Sequence, residues 1–331
     1  MTAYAVVVPT LVRDTLADCL AALVAATGPR PEQVVLVDDR PEPGPGGLEH
    51  PLSVLGDLRE RTTVLTGGGR GPAAARNTGL RAVTAPWTVF LDDVQVGPHW
   101  CDQLAEDLTE AAPHVAGVQG VIAVPLPGER RPTDWERGTA GLARARWITA
   151  DMACRTEALK QVGGFDERFP RAFREDADLA LRVLDAGWRI RRGRRTTRHP
   201  VRPADRWVSV RQQRGNADDA LMRRLHGPDW WDKAAAPRGR IRRHAAVTTA
   251  GVAACALAVA GRPRAAAACA LGWAAGTAEF ARARIVPGPR TRQEVTTMLA
   301  TSVLIPPAAT WHRLSGAWRH RHVPARQEVT P

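Results

Sequence analysis

Apolar residues recur in two rhythms along the first two thirds of the chain. Short β-branched runs such as Ala5–Val8 and Val34–Val37 alternate with longer Ala/Leu-rich segments whose apolar positions fall three and four residues apart. The first rhythm predicts strands and the second helices. In order they give a strand near 3–8, a helix over 13–26, strands over 33–38 and 61–65, a helix over 72–83, a strand over 86–91, a helix over 97–111 and a strand over 115–123. Helical patterning returns at 155–162 and 175–187. Strands that alternate with helices across short connections predict an α/β fold, a mostly parallel sheet with helices on both faces. In such a sheet ligands gather beyond the carboxyl ends of the strands. The Pro/Gly-rich stretch 41–51 reads as a mobile loop and 124–146 as an irregular segment flanking or covering a site.

After Arg243 the composition shifts to Ala-rich segments, which predicts a domain at 1–235 and an α-helical extension at 236–331. His244–Gly261 runs for 18 residues without Asp, Glu, Lys or Arg. As a helix it reaches about 27 Å against a bilayer core of about 30 Å, so it is a marginal span. Arginines at the segment boundaries favour a helical hairpin on or dipping into an anionic membrane surface.

At 331 residues and 44% apolar content the chain can fill a core, so disorder is not the expectation. From Arg182 to Arg243 there are 18 Arg and Lys against 6 Asp, a surplus equal to the formal +12 of the whole chain. Such a block attracts nucleic acid, anionic lipid or a pyrophosphate, or else forms a solvated face. No nucleic-acid module accompanies it and aromatics are few, so nucleic acid is not an expected partner. Five scattered cysteines without metal spacing suggest reduced thiols and a cytoplasmic catalytic domain, which the C-terminal segments would place at the inner face of the cell membrane. Pro9 ends the first apolar run and no basic segment precedes it, so no signal peptide is expected.

Three stretches carry candidate chemistry. Val34–Val37 runs into Asp38-Asp39, and Val89–Leu91 runs into Asp92-Asp93. Two adjacent acids at the end of an apolar strand are costly unless a cation or hydrogen-bond donors meet them. A divalent cation bridging to phosphate suits the second pair, and a ribose or base suits the first. Between them, Thr66–Asn77 (TGGGRGPAAARN) leaves a strand on glycines and enters a helix at Pro72. That opens a helix N-terminus where backbone N–H groups and Arg76 face a phosphate or nucleotide. Gly69-x-Gly71-x-x-Ala74 fits a loose dinucleotide fingerprint, but the fingerprint belongs at the first strand-helix turn, which here reads Val8-Pro9-Thr10. No Gly-Lys-Ser/Thr is present, which excludes a P-loop.

The third stretch holds Gly163–Glu167 and Glu175-Asp176-Ala177-Asp178. Adjacent helical residues point about 100° apart, so only one of Glu175 and Asp176 can face a reacting centre as general base. Asp178 and Arg182, at i and i+4, read as a helix-surface ion pair.

In order, Val6–Thr10, Val35–Asp39, Ala74–Gly79, Phe90–Asp93, Gly163–Glu167 and Glu175–Leu179 resemble the motifs of family 2 glycosyltransferases over roughly residues 3–215. The resemblance implies the glycosyltransferase A-type nucleotide-binding sheet and a nucleotide-diphosphate sugar donor. It implies Pro9, Thr10, Asp38, Asp39, Arg76 and Asp92 around the nucleotide. It also implies Asp92 and Asp93 as the site of a divalent metal, Mn2+ or Mg2+, with His199 as a possible further ligand. Asp176, beside Glu175, would be the base of an inverting transfer to a sugar or lipid-linked acceptor. Asp92-Asp93-Val94 is shorter than the usual acid motif, which leaves open which Asp binds metal and keeps a non-catalytic nucleotide-sugar-binding scaffold as the alternative. Gln212–Asn216 lacks the tryptophan of processive relatives, so a single transfer is expected rather than chain synthesis.

Overall fold

A computed structural model of the chain describes residues 2–43 and 47–326. In chain order, β1 (Tyr4–Thr10) leads through α1 (Thr15–Ala25) to β2 (Gln33–Asp38), and α2 (Glu49–Ser53) with a 3-10 turn leads to β3 (Thr62–Thr66). α3 (Pro72–Ala82) precedes β4 (Trp87–Leu91), the two-residue β5 (Gln95–Val96), α4 (Trp100–Thr109) and β6 (Val115–Ala123). Then come α5 (Asp134–Ala140), β7 (Asp151–Arg155), α6 (Thr156–Gln161), α7 (Glu175–Asp185) and β8 (Arg189–Arg198). The remainder is helical: α8 (Val208–Arg211), α9 (Gly215–His226), α10 (Trp230–Lys233), α11 (Ile241–Val259), α12 (Pro263–Ile285) and α13 (Arg292–Arg319).

The strands form one sheet in the order β3-β2-β1-β4-β7-β6-β8-β5. Its first four strands are parallel, and β7 reverses direction between β4 and β6. Strand alternation divides the core in two. Val6, Val8, Val34, Leu36, Val89 and Leu91 point to one face, against Leu16, Leu20 and Leu23 of α1 and Leu104 and Leu108 of α4. Ala5, Val7, Val35, Val37 and Phe90 point to the other, against α3, α6 and α7. This is the expected α/β sheet with helices on both faces.

Two expectations need correction. The segment 124–146 contains α5, opened by a capping box in which Thr133 and Glu136 bond each other's backbone N–H. And the arginine block from 189 to 198 forms a strand, β8. Its inward positions Arg195 and Thr197 are fully buried, where Arg195 bonds Asp107 (3.0 Å) and Asp151 (2.8 Å) and Thr197 bonds Asp151 (2.5 Å). Part of the basic surplus is therefore spent inside the fold. The stretch 41–51 falls partly outside the described residues, at 44–46.

The C-terminal helices pack as a group on the rest. Gly316 of α13 sits so close to α9 that a Cβ there would lie 2.5 Å from the Cα of Ala217. Elsewhere these helices leave large apolar side chains in solvent, among them Val259, Leu271, Trp311 (68% exposed), Leu314 and Trp318 (69%). Among the described residues no helix is long and apolar enough to cross a membrane. All five cysteines are unpaired.

Candidate active site

The carboxyl ends of the parallel strands open into a cavity of about 480 Å³. Pro9 and Thr10 close β1, Asp39 follows β2, and Asp92 and Asp93 follow β4; all five line the cavity, as does Arg76 from α3. A parallel sheet brings these ends together, so residues more than 80 positions apart share one hollow.

Each acid has a different setting. Asp39 accepts the backbone N–H groups of Arg70 (3.1 Å) and Gly71 (2.9 Å), so the glycine-rich turn donates to a carboxylate of the chain itself. Burial nonetheless raises the Asp39 pKa above the ordinary value. Gly71 has φ +96°, and a Cβ there would stand 2.5 Å from the carbonyl oxygen of Pro170, so this turn needs glycine. Asp93 meets Arg13 (3.1 Å), Thr15 (3.4 Å) and Arg202 (3.5 Å). Asp92 takes Nη2 of Arg76 on Oδ1 at 2.9 Å; among the described residues no hydrogen bond reaches its Oδ2. Burial disfavours the Asp92 carboxylate, yet the charge of Arg76 outweighs it and holds the pKa below the usual value.

Arg76 is the hub. It is 1% exposed, and its Nη1 reaches Glu175 Oε1 at 2.9 Å while Nη2 holds Asp92. Its guanidinium is thus spent on two carboxylates rather than left open to a phosphate. Next to it, Asn77 bonds the carbonyl and N–H of Phe165 (2.9 and 2.8 Å) and Glu167 (2.9 Å), which fastens the Gly163–Glu167 turn to α3.

Glu175 and Asp176 open α7 behind this hub and do not line the cavity, although Pro170 and Ala172 just before them do. Burial, then the neighbouring Asp176, pushes the Glu175 carboxyl up to about 8. Burial also raises Asp176, against the opposing charges of Arg76 and Arg174. Arg174 stands at φ +79°, a left-handed conformation unusual for a side-chain-bearing residue, and is held there by Asp219 at 2.8 Å. Backbone strain of this kind persists where the surroundings over-determine it, often beside functional groups.

Asp38 and His199 also lie off the cavity. Asp38 turns to a separate shallow recess, where Arg40 forks over its carboxylate at 2.6–3.1 Å. His199 Nδ1 lies 3.2 Å from the carbonyl oxygen of Pro200. Asp178 corrects the surface-pair expectation: it is fully buried, bonded by Arg182 (2.7 and 2.9 Å) and by His226 (2.8 Å), because α7 turns that face toward α9. Arg13 and Arg202, which flank Asp93, were not among the expected site residues. Arg13 could have been suspected from its place in the loop after β1, while nothing local marks Arg202.

A sheet whose strand ends gather three acids and four arginines around one hollow, extended by C-terminal helices, has the architecture of the glycosyltransferase A type. Residues 5–168 match the family model described as glycosyl transferase family 2, so this domain belongs to that family. Pre-mycofactocin glycosyltransferase from two strains of Mycobacterium tuberculosis is 35% identical over a 136-residue alignment that covers 37% of this chain and 28% of those proteins. The chain therefore aligns with little more than a quarter of these relatives. The solved mannosyltransferase PcManGT from Pyrobaculum calidifontis, in complex with GDP-Man and Mn2+, shares the fold at 19% identity. Its TM-score is 0.56 and the match covers 94% of this chain and 86% of that one.

Proposed function

We propose that this protein transfers a sugar from a nucleotide-diphosphate donor to an acceptor hydroxyl, in a single inverting step. The observation that carries the proposal is the convergence of Asp39, Arg76, Asp92 and Asp93 on one cavity. Thr10, Asp39 and the backbone around Gly71 would meet the nucleoside and Pro9 would shape its wall, with Asp38 supporting the turn from behind. The alternative, a nucleotide-sugar-binding scaffold without turnover, draws on the arginines that already cover Asp92 and Asp93 and on the recessed position of Asp176.

A divalent cation fits the donor set. Asp92 offers an open Oδ2, Asp93 stands beside it, and a hard cation binds through one or two carboxylates when substrate phosphates complete its shell. His199 would be a further ligand after a ring rotation. When bound, Mn2+ or Mg2+ supplies charge neutralisation at the diphosphate leaving group. Arg13 and Arg202 add positive charge at the same place, and an electrostatic clamp of this kind favours the transition state in a dry site. Asp176 would accept the acceptor proton, its pKa raised toward the working range by burial, and Glu175 would hold Arg76 in place behind it.

The acceptor reading includes lipid-linked sugars, and the proposed partner surface is an anionic membrane face, supported by the exposed Trp311, Leu314 and Trp318 beside Arg319 and Arg321.

The test is a panel of nucleotide-diphosphate sugars followed by thermal shift with and without Mn2+, since binding to the native state raises its stability. At least one donor is expected to raise the melting temperature more with metal than without, and to be slowly hydrolysed. Binding without any hydrolysis would favour the scaffold, and no binding by any donor would remove both readings.

A further inference from the structure

A second cleft, of about 590 Å³, lies outside the donor cavity, between α5, α8 and the C-terminal helices. We infer that it holds the acceptor, and that the acceptor portion it takes is an uncharged saccharide; this rests on the transfer reading above.

The cleft is built rather than accidental. Arg284 of α12, almost fully buried, ties three of its walls together. It reaches Asp134 of α5 through Nε (3.2 Å) and Nη2 (2.8 Å), Ser209 of α8 (3.1 Å), and Thr301 and Ser302 of α13 (2.8 and 3.2 Å). Glu294 of α13 accepts the N–H of Asp134 at 2.8 Å, a fourth tie. Side chains fixed in this way present a pre-shaped surface, which is what a binding site needs.

Two connections aim the cleft at the reacting centre. Trp135 in its wall donates Nε1–H to the carbonyl oxygen of Arg202 at 2.7 Å, and Arg202 lines the donor cavity and meets Asp93. On another side, Gln212 and Gln213 line the cleft, and Gly215 just after them abuts Phe173, three residues before Asp176: a Cβ on Gly215 would stand 2.8 Å from that ring. Through Trp135 and Arg202, and through Gly215 and Phe173, the walls of the cleft are joined to the donor cavity and to the segment that leads into α7.

The lining chemistry selects the ligand class. The charges in the lining balance: Asp134 is paired with Arg284 and Arg137 and Asp205 with Arg211, while Glu294, which accepts the Asp134 N–H, is offset by Arg206. A charged ligand finds little net field. What remains are the flat face of Trp135, the apolar side chains of Met298 and Ile305, and the amides of Gln212 and Gln293, whose side chains make no hydrogen bond among the described residues; the Phe280 ring already carries Arg284, Arg240 and the ring of His244. Flat apolar surface interleaved with uncommitted amides matches a sugar ring, which offers C–H on its faces and hydroxyls around its edge.

The test uses the full chain and saturation-transfer NMR with a panel of methyl hexosides and methyl disaccharides, with UDP and GDP as separate probes. At least one glycoside should bind the wild type without displacement by the nucleotides. Trp135→Ala and Thr297→Phe, the second chosen to fill the cleft, should each weaken it at least tenfold and leave nucleotide binding within twofold. Glycoside binding unchanged in both variants, competition by nucleotide, or no signal from any glycoside would overturn the assignment. Failure of the nucleotide probes alone would instead count against the transfer reading, so the two failures are distinguishable.

Discussion

At the carboxyl ends of β1, β2 and β4 every acid has a partner, whereas along α11 to α13 large apolar side chains stand mostly in solvent. In the first region Asp39, Asp92 and Asp93 are held by backbone N–H groups or arginines, and Arg76 is buried between two carboxylates. In the second, Trp311, Leu314 and Trp318 lie on one side of α13, spaced i, i+3 and i+7, and stay mostly exposed, with the guanidinium of Arg321 over the Trp318 ring at 3.8 Å. The contrast separates groups on which the fold depends from groups it does not use. Removing a partner at the strand ends leaves a buried charge unanswered, while removing an exposed tryptophan leaves the folded state almost as it was.

The largest effect tests the first region as chemistry. Asp176→Asn should lower kcat by roughly 10²–10⁴, the usual contribution of a general base, while donor binding stays within about twofold. Nucleotide release with the donor found by thermal shift is the measurement, and normal turnover would remove Asp176 as the base. The proposed base works only when ionised, and burial raises the Asp176 pKa above the ordinary 3.8. The rate should therefore fall on the acid side at a higher pH than an ordinary aspartate would give.

Next comes the hub as structure. Arg76→Met leaves Glu175 and Asp92 without their shared cation, and breaking a buried pair from one side costs about 3–5 kcal/mol. Urea unfolding should show that loss, and a change under 1 kcal/mol would mean the two acids find other partners. Glu175→Gln is the companion variant. A carboxyl whose folded pKa is pushed up to about 8 binds its proton more tightly in the folded state than in the unfolded chain. Its contribution to stability is then fully present below the unfolded value near 4.5 and is lost as pH rises toward about 8. Glu175→Gln should flatten that decline; identical pH slopes in both proteins would contradict the raised pKa.

Much of this arrangement was legible in the residues. Strand periodicity placed β1, β2, β3, β4 and β6 to within about two residues, because each is a short apolar run bounded by turn residues. The acids at the ends of β2 and β4 followed from the same runs. β8 was not legible, since ten residues with six arginines read as a charged surface until Asp107 and Asp151, far away in the chain, supply the buried partners for Arg195. β7 was hidden for a related reason: Asp151 begins it, and an acid inside a core strand makes sense only once Arg195, Trp100 and Thr197 are known to surround it. Arg202 was missed because its approach to Asp93 depends on the path of the segment after β8. Sequence pattern reports what a residue does with near neighbours, and these positions are decided by distant ones.

The smallest effect on stability belongs to the second region, and it is the informative one there. Trp311→Ser with Trp318→Ser should change unfolding free energy by no more than about 0.5 kcal/mol each, as exposed substitutions generally do. The same pair should weaken binding to vesicles rich in anionic lipid. A tryptophan carries roughly 150–250 Å² of surface, so sinking about 100 Å² of it into an interface at about 25 cal/mol per Å² contributes roughly 2.5 kcal/mol, more than tenfold in partition. Vesicle co-sedimentation at low and high salt separates the apolar part from the arginine part, because only the latter is screened. If the double variant is instead markedly less stable and binds vesicles as before, these tryptophans belong to the fold and the contrast between the two regions fails.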